Sequence, residues 1–238
     1  MNKGCQSNNQ YDSTLPSFRK RLLISDYIII FPNAGSDPQG AIKMGSNASR
    51  INNFRQKLQK KKFDRLLERG RNYGDEGKFI AALNCFDKAI KIIQGSAEAW
   101  YWKGKAHAAN REIEAAIISL DMSLKLDPTR DNVWIEKGSL LGNLGRYEEA
   151  IAAFMKVIEM DPKDDPKHKN LRAMAYSNIG FVHELKKDIA RAEEFYKKAI
   201  KAYPFHLESY AKLYILLKAQ DRLEEAEKWK KERVMFSG

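Results

Sequence analysis

Five alanines, Ala82, Ala116, Ala150, Ala192 and Ala226, follow one another at intervals of 34, 34, 42 and 34 residues. The odd interval is the common one plus eight. Twelve residues before each of the first four stands a glycine: Gly70, Gly104, Gly138 and Gly180. Four residues after comes Phe86, Leu120, Phe154 or Tyr196, and eight after comes Ile90, Leu124, Ile158 or Ile200. Steps of four and eight fall on one helical face, so each alanine belongs to an amphipathic helix and each glycine to the helix before it. A repeat of this size is one supersecondary unit that cannot bury its apolar face alone. The next copy has to cover it, which commits the chain to a stacked, all-α array.

Within a unit the two helices are expected to pack antiparallel across a short turn, glycine on the first and alanine on the second. Helix separation follows the side chains at the contact, so these small residues belong at the closest crossing. The bulky Trp100, Trp134, Tyr176 and Tyr210 fill the wider space. Asp127-Pro128, Asp161-Pro162 and Tyr203-Pro204 follow the second helices, where proline stops a helix and the chain turns into the next unit. The eight extra residues fall at 165–172. Asp165 suits a cap and Pro166 a first helical position, so the fourth unit's first helix is expected to start near Pro166 and run about two turns longer than its counterparts. The insertion reads either as tolerated length or as a ridge marking a docking edge.

These residues resemble the tetratricopeptide repeat family, whose Trp, Leu-Gly, Tyr, Ala, Phe, Ala, Pro pattern spans about 34 residues. Residues 131–164 fit best, with Trp134, Gly138, Gly145, Tyr147, Ala150, Phe154 and Pro162 at the family's spacing. The resemblance implies a helical-hairpin solenoid, a right-handed superhelix of about five units over 63–96, 97–130, 131–164, 173–206 and 207–238. In the first unit Leu66 stands in for the aromatic residue. In the last, Tyr214 replaces the glycine, and Lys230 and Arg233 occupy places that are apolar elsewhere, as the uncovered end of an array requires.

The resemblance further implies a concave surface lined by the first helices, with Arg71, Tyr101, Trp102, Lys105, Ile135, Ser139, Asn143, Asn178, Phe181, Glu184 and Lys212 facing the groove. Tyr101, Trp102 and Phe181 suit apolar anchors, and Asn143 and Asn178 suit hydrogen bonds to a peptide backbone. Packing between units is an equal reading for Trp102. Some members of the family hold Hsp70 or Hsp90 C-terminal tails with a carboxylate clamp of lysines, asparagines and an arginine. Ile135, Ser139, Asn178, Glu208 and Lys212 stand in those places here, so such tails are disfavoured. Inner carboxylates outnumber inner cations, and a basic or neutral protein or peptide partner is favoured.

Neither a P-loop, a His-Glu-x-x-His pair nor a Gly-x-Ser-x-Gly elbow occurs. His107, His168, His183 and His206 are too scattered for a ligand set, and His107 and His183 fall on inward places. Gly138, Gly142 and Gly145 read as packing and turn residues. The expected function is that of a non-enzymatic protein–protein interaction scaffold holding a peptide or partner segment in its groove, with no catalytic residue, cofactor or metal. Two cysteines, Cys5 and Cys85, make no disulfide framework, so a reducing, cytoplasmic setting is expected.

Charge sets the N-terminal quarter apart. The formal net charge is +11, and residues 1–62 hold 11 Lys/Arg against 3 Asp/Glu, while the remaining 176 residues hold 31 against 28. Residues 1–48, rich in Asn, Ser and Gly with Pro16, Pro32 and Pro38, read as a mostly disordered leader. The apolar run Leu22–Phe31 is too short to span a bilayer and carries Asp26, so it reads as a sticky tail or edge strand. Met44 and the Gly-Ser-Asn-Ala-Ser after it fit N-myristoylation only if translation starts at Met44 rather than Met1. Residues 49–62 read as a basic helical lead-in, with Ile51, Phe54 and Leu58 opposite Arg50, Arg55, Lys57, Lys60, Lys61 and Lys62. The alternative function is therefore an adaptor attached to nucleic acid or an acidic membrane surface through those lysines. At the other end Trp229, Val234, Met235 and Phe236 read as a cap or as a self-association patch.

Overall fold

In the computed structural model the residues described are 21–24, 27–30, 40–160 and 166–235, with side chains described over 49–160 and 168–235. Expectations placed on residues 1–20 and 31–39, on Asp26, on Asp161, Pro162 and Asp165, and on Phe236 lie outside the described residues. The chain divides into a unit Met1–Gln56 and a unit Lys57–Gly238.

In the first of these, β1 (Arg21–Ile24) pairs antiparallel with β2 (Tyr27–Ile30), Arg21 opposite Ile30 and Ile24 opposite Tyr27. The isoleucines and Tyr27 of the apolar run are good strand formers, and the run pairs with itself. Helix α1 (Gly40–Asp75) begins well ahead of Ser49, the point at which an apolar period becomes readable in the sequence.

The second unit holds the remainder of α1 from Lys57 on, followed by α2 (Phe79–Ile92), α3 (Ala97–Ala109), α4 (Ile113–Leu126), α5 (Asp131–Asn143), α6 (Tyr147–Glu159), α7 (Pro166–Leu185), α8 (Ile189–Ala202), α9 (Leu207–Ala219) and α10 (Leu223–Met235). Neighbours pack as hairpins, α3 on α4, α5 on α6, α7 on α8 and α9 on α10. Sterics explain the glycine-to-alanine spacing. A Cβ placed on Gly138 would lie 2.7 Å from the Phe154 ring, and one on Gly180 would lie 2.8 Å from the Tyr196 ring and 3.2 Å from the Ala192 carbonyl oxygen. Glycine and alanine together let a large ring enter the crossing, and Ala150, Phe154, Ala192 and Tyr196 are all buried there.

The link between the two helices is the same in every hairpin. One residue takes a left-handed conformation, Gly77 (φ 73°), Arg111 (64°), Gly145 (75°), Lys187 (61°) or Asp221 (60°). The next amide then reaches back to the last turn, as Glu112 N–H does to the His107 carbonyl and Arg146 N–H to the Leu141 carbonyl, both at 2.9 Å. This is a Schellman motif, which satisfies the helix-terminal carbonyls and reverses the chain in few residues.

Between units, Asp87 on α2 pairs with Lys103 on α3 at 2.8 Å, and Asp121 on α4 pairs with Lys137 on α5 at 2.5 Å. Each lysine also lies over a tryptophan one turn earlier, Lys103 over Trp100 and Lys137 over Trp134. The wide aromatic positions thus double as seats for a brace between units. The insertion is taken up by α7, which has 20 residues where α3, α5 and α9 have 13.

Candidate functional site

First helices approach one another, α5 against α7 and α7 against α9, so they form the inner side of the stack. Between these three helices lies a recess of about 200 Å³, edged by Ser139 and Asn143 from α5, Asn178 and Phe181 from α7, and Lys212 from α9. Gly138, Gly142 and the Phe154 ring packed against Gly138 line it as well. Phe181 is 42% exposed, high for a large ring, and Lys212 Nζ stands 5.2 Å from its centroid. Glu208 accepts that ammonium at 2.8 Å, and the contact holds the Glu208 carboxyl below its ordinary pKa. Ser139 Oγ donates to the Ile135 carbonyl at 3.0 Å, which commits its proton and leaves the hydroxyl only acceptor capacity.

A second gathering of expected groove residues lies on the earlier units. Arg71 stands over the Trp102 ring at 5.4 Å, and Lys105 lies 5.5 Å from Trp102 and 5.9 Å from Tyr101. The two rings meet edge-on at 5.3 Å. Arg130, which no spacing argument selects, completes the group 5.0 Å from Tyr101. Trp102 packs against the core of the first units while its ring carries these cations. Its indole N–H donates to Glu98 at 3.4 Å.

Two members of the expected set are occupied elsewhere. Ile135 packs against the central core. Glu184 accepts the Tyr196 hydroxyl at 2.7 Å, and burial together with that carboxylate pushes the phenol's pKa up. Of the histidines, His183 is buried with its ring stacked 5.4 Å from Phe195, and His206 is buried with Nδ1 2.7 Å from Ser209 Oγ. His107 Nδ1 meets Glu112 at 2.5 Å. Among the described residues no group of three or more His, Cys, Asp or Glu is placed to hold a metal ion. No helix of the described residues is long and apolar enough to cross a membrane. Lys57, Lys60, Lys61 and Lys62 are exposed along α1. At the far end Trp229 packs 6.1 Å from Tyr210, while Met235 is 72% exposed.

Known proteins share this architecture. Anaphase-promoting complex subunit 3 of Schizosaccharomyces pombe is 28% identical over 120 residues, 50% of this chain and 17% of that protein. The chain therefore spans a small part of the length of the curated relative it matches. Among solved structures, Pseudomonas aeruginosa PilF superposes with a TM-score of 0.60 at 21% identity, covering 76% of this chain and 78% of PilF. YrrB, described as a TPR protein with an unusual peptide-binding site, superposes with a TM-score of 0.52 at 14% identity, covering 72% of this chain and 84% of YrrB. At such identities the likeness is one of fold. Residues 67–131 and 129–205 each match the tetratricopeptide repeat, and with the repeated close crossing and turn they show that the chain belongs to the tetratricopeptide repeat family, whose arrays are in general protein–protein interaction scaffolds.

Proposed function

We propose that the inner face of the array binds a segment of a protein partner without catalysing a reaction, and that the recess between α5, α7 and α9 is its anchor point. The observation that supports this reading is the meeting of Ser139, Asn143, Asn178 and Phe181, drawn from two units, with Lys212 of a third in one recess. An exposed ring beside two primary amides suits one apolar side chain of a ligand together with donors and acceptors for its backbone. The binding array spans five units starting at Phe63, Ala97, Asp131, Ala173 and Leu207, with Arg71, Tyr101, Trp102 and Lys105 as a second contact. The peptide-binding site ascribed to YrrB supports the ligand class at the level of the fold.

Within the recess Lys212 is the one cation among the lining residues, and Glu208 neutralises it. That favours a neutral or basic segment and leaves no cluster of cations for the carboxylates of an Hsp70 or Hsp90 tail. A reducing, cytoplasmic setting goes with this reading, since Cys85 is a buried free thiol.

The test is selection of peptides from a displayed random library on the full chain, followed by affinity measurements on variants. Phe181→Ala is expected to weaken the selected peptides about tenfold and Asn178→Ala about fivefold. Changing Lys60, Lys61 and Lys62 to alanine is expected to leave them unaffected. Peptides that ignore Phe181→Ala but are lost with the lysines would replace the groove with attachment through the basic segment.

A further inference from the structure

The extension of α7 creates a second cleft, separate from the recess above and of different chemistry. It lies between the first three turns of α7 and the last turns of α8, and Lys169, Arg172 and Tyr176 face Lys198, Lys201, Ala202 and Pro204 across it. Its volume is about 580 Å³. Lys169, Arg172 and Tyr176 follow at steps of three and four, so they share one face of α7, and Lys198 and Lys201 share one face of α8. Two of the four cations, Lys169 and Arg172, belong to the eight residues that break the repeat period. Without the insertion the cleft would lose half its charge. Glu194 is a counter-charge to Lys198, at 2.6 Å, and Lys198 also lies 4.6 Å from the Phe195 ring. Lys169 and Arg172 engage other groups as well, so the cleft acts through the net field of its four cations, reduced by the Glu194 carboxylate, rather than through one idle side chain.

We infer that this cleft is a docking site for an acidic peptide segment of a protein partner, one carrying carboxylates or phosphates on either side of an apolar residue. The cations supply charge complementarity to such a segment. Tyr176, Ala202 and Pro204 supply an apolar floor that a bare anion does not use. A recess with its cations on two facing walls admits side chains, whereas a bilayer surface needs cations on a projecting or flat face. The insertion then gives one array two sites of unlike chemistry, a neutral one on the inner face and a basic one between α7 and α8. This goes beyond the groove reading and does not depend on it.

A fluorescein-labelled Glu-Glu-Phe-Glu-Glu peptide titrated into the full chain, read by anisotropy, is the probe. Binding is expected to weaken as salt rises and to fall about tenfold in the Lys198→Glu, Lys201→Glu double variant, where attraction becomes repulsion. Lys201→Ala alone, a change at an exposed position, is expected to weaken binding about threefold. Phe181→Ala is expected to leave it unchanged, which separates this site from the groove. Absence of binding, equal binding by both lysine variants, or tighter binding of phosphatidylserine vesicles or of single-stranded DNA than of the peptide would each overturn the inference.

Discussion

Where the third unit buries Leu141 and leaves Gly142 bare, the fourth carries His183 and Glu184 at the corresponding places, and where the third buries Phe154 the fourth buries Tyr196. The backbone scheme is common to both: a glycine on the first helix, an alanine on the second, a ring between them and a left-handed turn. Chemistry at the crossing changes as a set. Tyr196 is fully buried, and its hydroxyl finds a carboxylate one helix away at 2.7 Å. Phe154 has no hydroxyl, and Gly142 opposite it has nothing to offer one. A tight helical crossing thus accepts a polar atom when its partner arrives with it, since an unpaired buried hydroxyl costs more than the bond gains.

The feature the two units share gives the largest expected effect. Gly138→Val and Gly180→Val each force atoms to within 2.7 or 2.8 Å of a buried ring, and each is expected to destabilise by about 3 kcal/mol in urea unfolding. Gly142→Ala meets nothing nearer than 3.7 Å and is expected to be neutral, or stabilising by about 0.5 kcal/mol because alanine is the better helix former. Equal costs at Gly138 and Gly142 would mean that the crossing is not what the glycines serve.

Next in size is the exchange of the polar pair. Phe154→Tyr places a hydroxyl opposite Gly142, at the edge of the recess, and is expected to cost about 1 kcal/mol, less than in a sealed crossing. Adding Gly142→Glu should return at least half of it, with a coupling energy of about 1 kcal/mol in the double-mutant cycle. The reciprocal Tyr196→Phe is expected to cost about 1 kcal/mol. Independent, additive effects would show that hydroxyl and carboxylate do not act together.

The sequence shows the shared half of this comparison more plainly than the differing half. Period, hairpin pairing and the glycine–ring crossing follow from residue size at fixed spacing, and size is visible in the letters. The helix stops are legible too, since α4, α6 and α8 end just before Asp127-Pro128, the Asp161-Pro162 pair and Tyr203-Pro204. What spacing leaves open is which neighbour claims a polar side chain. Glu184 shares its helical face with the residues expected to line the groove, and only the distance to Tyr196 shows its carboxylate engaged. Arg130 lies between helices, outside every periodic position. The basic cleft needs α7 and α8 side by side before Lys169 and Lys201 line one space. The start of α1 at Gly40 had no apolar period to announce it.

Acid separates the units in a different manner. Burial lowers the His183 pKa below its ordinary 6.5, opposed by the Asp188 carboxylate at 3.6 Å and assisted by Arg191 and Lys186. The unfolded chain takes up that proton first, so the contribution is fully present above pH 6.5 and is lost as pH falls through 6.5 toward the folded value. Urea midpoints measured between about pH 7.5 and about pH 5.5 are expected to drop for the native chain. His183→Leu, which copies Leu141, is expected to flatten part of that drop and not all of it, because burial also lowers His206. A drop unchanged by His183→Leu would assign the acid response elsewhere.

The smallest effects belong to the turns. Gly145 and Lys187 hold the same place in their hairpins at φ 75° and 61°, yet only glycine reaches that region without a Cβ clash. Gly145→Ala is expected to destabilise the third unit by about 1 kcal/mol although open space surrounds the position, because the cost is one of backbone conformation. Lys187→Gly relieves the strain in the fourth but adds freedom to the unfolded chain, so the net gain is expected to be under about 1 kcal/mol. Opposite signs at the two positions, read as urea midpoints of the single variants, would establish that the turn is one device built twice. If Lys187→Gly destabilised as much as Gly145→Ala, the fourth turn would depend on its lysine side chain, and the resemblance between the two hairpins would end at the helices.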